Sequence, residues 1–184
     1  MNQLQHLAVA AALALAGLTV QAAPIVVDVS GAQSINLLGE TGNTVWLIDI
    51  GANAVVNSLG WALNLNALPP SSLSEMQLSF GSSSGLDLLT VAPGAADAFS
   101  GSGSYTGSQD LTGLGVSAGA DGKLRIEFSE AYKDFARGVV EGQWVSGSLT
   151  FDVAAAAVPE PGTAALVLLG LGVLGARLRR ARRG

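Results

Sequence analysis

Through the body of the chain, apolar side chains recur at every second position, not every third or fourth. Trp61, Leu63, Leu65 and Ala67 alternate with Ala62, Asn64 and Asn66, and Met76, Leu78 and Phe80 with Gln77 and Ser79. Leu124, Ile126 and Phe128 alternate with Lys123, Arg125 and Glu127, and Leu149, Phe151 and Val153 with Thr150 and Asp152. Side chains of a strand point to opposite faces in turn, so this period makes strands with one dry and one wet face. Turn formers separate the runs: Gly39, Gly42, Asn57, Pro69-Pro70, Gly81 to Gly85, Pro93-Gly94 and Asp121-Gly122. About eight short antiparallel strands so punctuated predict an all-β fold, a single two-sheet antiparallel sandwich of jelly-roll-like form.

The predicted sandwich spans 23–153, with a first strand at Ile25–Val29 and a last at Ser148–Val153. Asp121-Gly122 predicts a tight hairpin joining Leu114–Ala118 to Lys123–Phe128. Val45–Ile50, apolar at nearly every position, reads as a strand buried on both sides. Phe99 to Gly113, rich in Gly and Ser, reads as a flat strand or a mobile loop, and Ser129 to Val140 as a helical turn or an ordered loop. No internal repeat is visible.

The two ends differ from this body. Leu7 to Val20 is an almost unbroken Ala/Leu/Val run followed by Gln21, Ala22 and Ala23. A short apolar segment closing on small residues predicts a secretory signal peptide over 1–22, cut after Ala22 or, less suitably, after Ala23. No Lys or Arg precedes the run; the amino terminus and His6 are the only sources of positive charge there. At the other end, a spacer at 154–158 leads to Pro159-Glu160-Pro161, an apolar run from Gly162 to Ala176, and Arg177, Arg179, Arg180, Arg182 and Arg183. The run would make about 22 Å of helix at ~1.5 Å per residue, short of a ~30 Å hydrocarbon core. Snorkelling arginines extend its reach, and their charge favours the cytoplasmic side. The expectation is a C-terminal transmembrane helix acting as a transient inner-membrane anchor, with the body outside.

This tail, at 159–184, resembles the PEP-CTERM sorting signal of exported Gram-negative proteins. The resemblance implies recognition by an exosortase, a membrane-embedded cysteine protease, after handling by the secretion machinery and signal peptidase. It further implies release or transfer to the cell surface among extracellular polysaccharide. It says nothing about the body.

Residues 23–158 carry 13 Asp/Glu against 4 Lys/Arg, a net −9 hidden within the −5 of the whole chain. Such a body repels phosphate backbones, which excludes nucleic-acid binding; the arginine cluster is better explained by membrane orientation. The 136 residues suffice for one core. There is no cysteine, and the only histidine, His6, lies in the signal peptide. Serine–histidine and cysteine–histidine centres and ordinary zinc sites are thereby excluded. A hydrolase would need paired carboxylates, and Glu75, Glu127, Glu130, Asp134 and Glu141 are the candidates. Those from Glu127 to Glu141 lie among Lys123, Lys133 and Arg137 and read as a solvated charged surface. No catalytic residue and no cofactor is therefore assigned. Gly170-Leu171-Gly172-Val173-Leu174-Gly175 matches a dinucleotide fingerprint in letters only, because it lies in the apolar tail with no strand–turn–helix around it.

Calcium needs several hard oxygen ligands. Asp28, Asp49, Asp87, Asp97, Asp110, Asp121 and Asp134 offer them without forming an EF-hand loop, and turn capping explains most of them equally well. Trp46, Trp61 and Trp144 read as core, whereas Tyr105 and Tyr132, in Gly/Ser-rich or charged surroundings, are the candidates for contact with a glycan. The stretches Phe128–Asp134 and Glu141–Phe151, with Gly142-Gln143-Trp144 and Leu149-Thr150-Phe151, are similar to the end of the P domains that accompany subtilisin-like proteases. That likeness implies a galactose-binding-like jelly roll and carries no ligand residue across. Two classes remain: a non-catalytic surface or matrix protein, associated with exopolysaccharide or biofilm, and a carbohydrate-binding module, with or without calcium.

Overall fold

Each alternating run becomes a strand in the computed structural model, which describes residues 24–154. The strands are β1 (Ile25–Asp28), β2 (Ala32–Ser34), β3 (Thr44–Asp49), β4 (Val55–Ala67), β5 (Met76–Ser82), β6 (Leu89–Val91), β7 (Gly101–Asp110), β8 (Lys123–Glu130) and β9 (Gly142–Ala154). One sheet runs β1-β9-β4-β7, with β2 also on β9; the other runs β3-β8-β5-β6. All named pairings are antiparallel. They nest: β1 and β2 pair with β9, β3 with β8, β4 with β7, and β5 with β6. The chain is thus one long hairpin with its tip at the β5–β6 turn, rolled up until β4 meets β9 and β5 meets β8.

The count of nine strands, against about eight expected, comes from an interruption in the first. Asp28 faces Ser148 and Ala32 faces Trp144, so β2 resumes in the register of β1 after a three-residue break. The break lies opposite a bulge in β9, where the pairing with β4 slips between Ser146 and Trp144. Gly147 beside it has φ +119° and lies so close to the Ala62 carbonyl that no side chain would fit. An extra residue in one strand bends it and strengthens its twist.

The dry faces meet in one core. Phe128 of one sheet meets Trp46 and Trp144 edge to face at 4.8 Å each, and Phe80 meets Phe151 at 5.5 Å. Such pairs contribute about 0.5–1.5 kcal/mol beyond the area they bury. Trp144 is fully buried, and Trp61 is half-buried against the same core.

Two local expectations are corrected and a third is narrowed. Of the helical turn or ordered loop expected over 129–140, the loop forms, over 131–141, while Ser129 and Glu130 finish β8. Leu114–Ala118 does not form a hairpin with β8. Val56 N–H donates to the Val116 carbonyl and Ala118 N–H to the Ala54 carbonyl, both at 2.9 Å, so the segment lies along the start of β4. The turn is present, with Gly122 at φ +74°, but its carbonyl accepts from Ile50 N–H and directs the chain elsewhere. Finally, β3 is buried on one face only, because it is the edge of its sheet and Val45 and Leu47 point outward. The predicted signal peptide with its Ala22/Ala23 cut, the C-terminal transmembrane helix, the sorting tail and the spacer past Ala154 lie outside the described residues.

Candidate functional site

Of the five carboxylates singled out in the sequence, Glu75, Glu130, Asp134 and Glu141 lie together at one end of the sandwich and Glu127 stands apart on β8, but they do not form a solvated surface. Glu127, Glu130 and Glu141 are all fully buried. Alternation puts Glu127 on the outer face of β8, between Val45 of β3 and Ser79 of β5. The loop between β2 and β3 then covers it: Gly39 N–H and the Asn43 side-chain amide donate to Glu127 Oε1 at 2.8 and 2.9 Å, and Arg125 pairs with Oε2 at 2.5 Å. Asn43, which sequence reasoning did not select, and Gly39, read there only as a turn former, join Arg125 in making burial of that charge affordable. The one available signal was the length of the segment from Asn36 to Asn43, too long for a tight hairpin.

Glu141 organises the second loop. Its carboxylate accepts from the N–H groups of Asp134 and Phe135 at 3.1 and 3.0 Å and pairs with Lys133 Nζ. Lys133 also donates to the Val139 carbonyl at 3.1 Å and to the Ile35 carbonyl. Gly138 N–H donates to Asn36 Oδ1 at 3.1 Å, and Arg137 pairs with Glu40. The loop at 131–141 is thereby knitted to the loop at 35–43 across this end of the fold.

Glu130 has the least support. Ser71 Oγ stands 3.5 Å from its Oε2 and 3.1 Å from Glu75 Oε2, bridging the two carboxyls. Its Oε1 has no hydrogen-bond partner and lies against Gly142 and the Ser34 hydroxyl, which is also unpartnered. Burial is the main cause that pushes the Glu130 carboxyl up to about 7; the nearby Ser34 hydroxyl and Lys133 act against this, and the charges of Glu141 and Glu75 reinforce it. Asp134, exposed on the loop, is also raised, first by desolvation and then by the Glu75 charge. The cluster can hold a proton near neutral pH, but a substrate has no access to Glu127, Glu130 or Glu141 in this arrangement.

The aspartates weighed as calcium ligands are scattered. Asp28, Asp49, Asp110 and Asp121 each accept from the N–H two residues on, at strand ends, the Asx-turn geometry. Side-chain hydrogen bonds from Ser30, Lys123, Thr112 and Ser83 respectively, followed by these backbone ones, hold all four below the ordinary carboxylate value. Asp87 accepts from Ser82, and Asp97 from the Tyr105 hydroxyl at 2.7 Å. Among the described residues, no group of three or more His, Cys, Asp or Glu side chains is placed to hold a metal ion.

Of the two tyrosines, Tyr132 is exposed at 63 %, but Tyr105 turns inward. Burial and the Asp97 carboxylate push its hydroxyl up to about 12. A polar row that was not anticipated occupies the outer face of the five-stranded sheet: Ser104 donates to Asn64 at 2.7 Å, Asn64 to Ser146 at 2.9 Å, and Ser102 to Asn66 at 3.1 Å.

The fold thus explains how the body holds together, while the residues that direct the protein lie behind it. No curated protein matches the sequence. Residues 157–183 match the family described as the PEP-CTERM protein-sorting motif, in agreement with Pro159-Glu160-Pro161, the apolar run and the arginines that follow. The chain therefore carries a PEP-CTERM sorting motif, which implies an exported protein that is processed by exosortase and anchored in the membrane during transit.

Proposed function

We propose that the sandwich works beyond the cell envelope as a non-catalytic surface or extracellular-matrix module associated with exopolysaccharide. The observation that carries this reading is the sorting motif at 157–183, placed directly behind a domain whose buried carboxylates are taken up by its own loops. The nested strand pairings support a jelly roll as the finer description of the fold. In this reading signal peptidase cuts at Ala22 or Ala23, and Arg177, Arg179, Arg180, Arg182 and Arg183 hold the tail with its C-terminus in the cytoplasm. Exosortase then acts near Pro159-Glu160-Pro161. Replacing these three residues with alanine should leave the tail attached and the protein in the membrane fraction. Unchanged processing and release would overturn the reading.

The outer polar row favours a second reading, a carbohydrate-binding module. Asn64, Asn66, Ser102, Ser104 and Ser146 offer hydroxyl and amide groups on one exposed face, and Tyr132 offers an exposed ring. A polysaccharide pull-down with the released protein, run with and without calcium, separates the two. Saturable binding lost on Asn64→Ala supports the module, and no binding in either condition removes it.

A further inference from the structure

We propose that the outer edge of β7 is a self-association site, where a second copy of the chain adds its own β7 antiparallel and joins two sheets into one. A sheet edge presents unpaired N–H and C=O groups, and proteins ordinarily guard it by shortness, interruption, bulges, proline or charge. Two of the four edges here are guarded, and a third, β3, is shorter and tied at one end. β1 and β2 are interrupted after Asp28, β6 has three residues, and β3 has six, with Gln33 N–H donating to Thr44 Oγ1 at its start.

The fourth is not. β7 is ten residues long and pairs with β4 over ten consecutive positions without a bulge. It contains no proline and no charge before Asp110 at its end. Among the described residues, β4 alone gives it backbone hydrogen bonds. The strand is also held straight from within. The Trp61 ring lies over Gly107 and the Tyr105 ring over Gly103, so aromatic side chains fill the space the glycines leave. An edge ordered in advance loses little freedom on pairing.

Charge selects the partner. A body of net −9 repels its own copies over most approaches, but the outward side chains along β7 are Ser102, Ser104, Thr106 and Ser108. Two such edges meet without facing like charges. With a two-fold axis at Thr106, Ser104 faces Ser108 of the other copy and every pair stays on one face of the joined sheet. In this register the nine positions from Ser102 to Asp110 pair and supply roughly eight to ten backbone hydrogen bonds, within the range typical of a whole protein interface.

The test uses the processed protein released from producing cells. Light scattering and sedimentation should give twice the monomer mass, returning to the monomer for both Thr106→Lys and Thr106→Glu. Circular dichroism and the thermal midpoint of these variants should show that the fold is kept. Ala62→Lys, on the same face but on the interior strand β4, should leave the mass doubled. The chain has no cysteine, so single cysteines at Ser102, Ser104, Thr106 and Ser108 can be oxidised alone and in mixtures. Cross-links should be confined to pairs of positions whose numbers share one sum, the signature of antiparallel pairing. The proposal is overturned by a monomer at every concentration, by cross-links without that pattern, or by a dimer that Ala62→Lys dissolves and Thr106→Lys leaves intact.

Discussion

The stretch from Glu127 to Glu141 and the stretch from Gly101 to Asp110 look like opposite kinds of polypeptide. The first is dense in charge and suggests wet surface, yet its three glutamates are fully buried. The second is Gly/Ser-rich and fits a flat strand or a mobile loop equally; it forms a ten-residue strand. The difference lies in what comes to meet them. Two loops bring N–H groups and cations to the carboxylates, and Trp61 of β4 brings apolar surface to Gly107, as the strand's own Tyr105 does to Gly103. Composition describes a segment; its long-range partners decide where it goes.

The largest test removes a partner from the charged side. Glu141→Ala would leave Lys133 Nζ and the N–H groups of Asp134 and Phe135 without their acceptor. Breaking a buried, hydrogen-bonded ion pair from one side costs about 3–5 kcal/mol. Urea unfolding should show that loss, with the loop at 131–141 opening first in hydrogen exchange. A change below about 1 kcal/mol, the range of exposed ion pairs, would mean that the loop is held by something else.

A second test asks what the least satisfied glutamate costs. Glu130 is raised from an ordinary 4.5 to about 7, so the folded chain holds a proton there that the unfolded chain releases. Stability tied to this group is therefore full below about pH 4.5, falls as pH rises, and is lost above about pH 7. The gap corresponds to about 3 kcal/mol. Glu130→Gln cannot ionise, so it should stabilise the protein by up to that amount at pH 8 and by little at pH 4. An equal effect at both values would sink the assignment.

These outcomes bear on how much was legible in the sequence. The strands were, because Leu124, Ile126 and Phe128 can share a dry face only in an extended chain. The face of Glu127 was legible too: it does point away from the core. Its burial was not, because the cover comes from Gly39 and Asn43, more than eighty residues away in the chain. The hairpin expected at Asp121-Gly122 failed for a related reason. Local turn chemistry fixes the turn but not the partner, and Val116 and Ala118 found β4 instead of β8. The sorting motif was legible, since its signal is an order of short segments and needs no fold.

The smallest effect tests the glycine side. Gly107 sits directly opposite Trp61, and a Cβ there would come 2.5 Å from Cζ2 and 2.8 Å from Cε2 of the indole. Two terms compete in Gly107→Ala. A less flexible unfolded chain favours the alanine by about 0.4–1 kcal/mol, whereas forcing an extra methyl into a packed contact costs about 1–3 kcal/mol. Overpacking should win, giving a net loss of about 1 kcal/mol and a shifted tryptophan emission as the ring leaves its seat. Ser108→Ala, next along the strand but pointing to solvent, should change neither. If Gly107→Ala is instead neutral or stabilising, the ring is not what holds this strand, and the symmetry between the two regions fails: buried charge would need bespoke partners, while the glycine-rich edge would need only its ladder to β4.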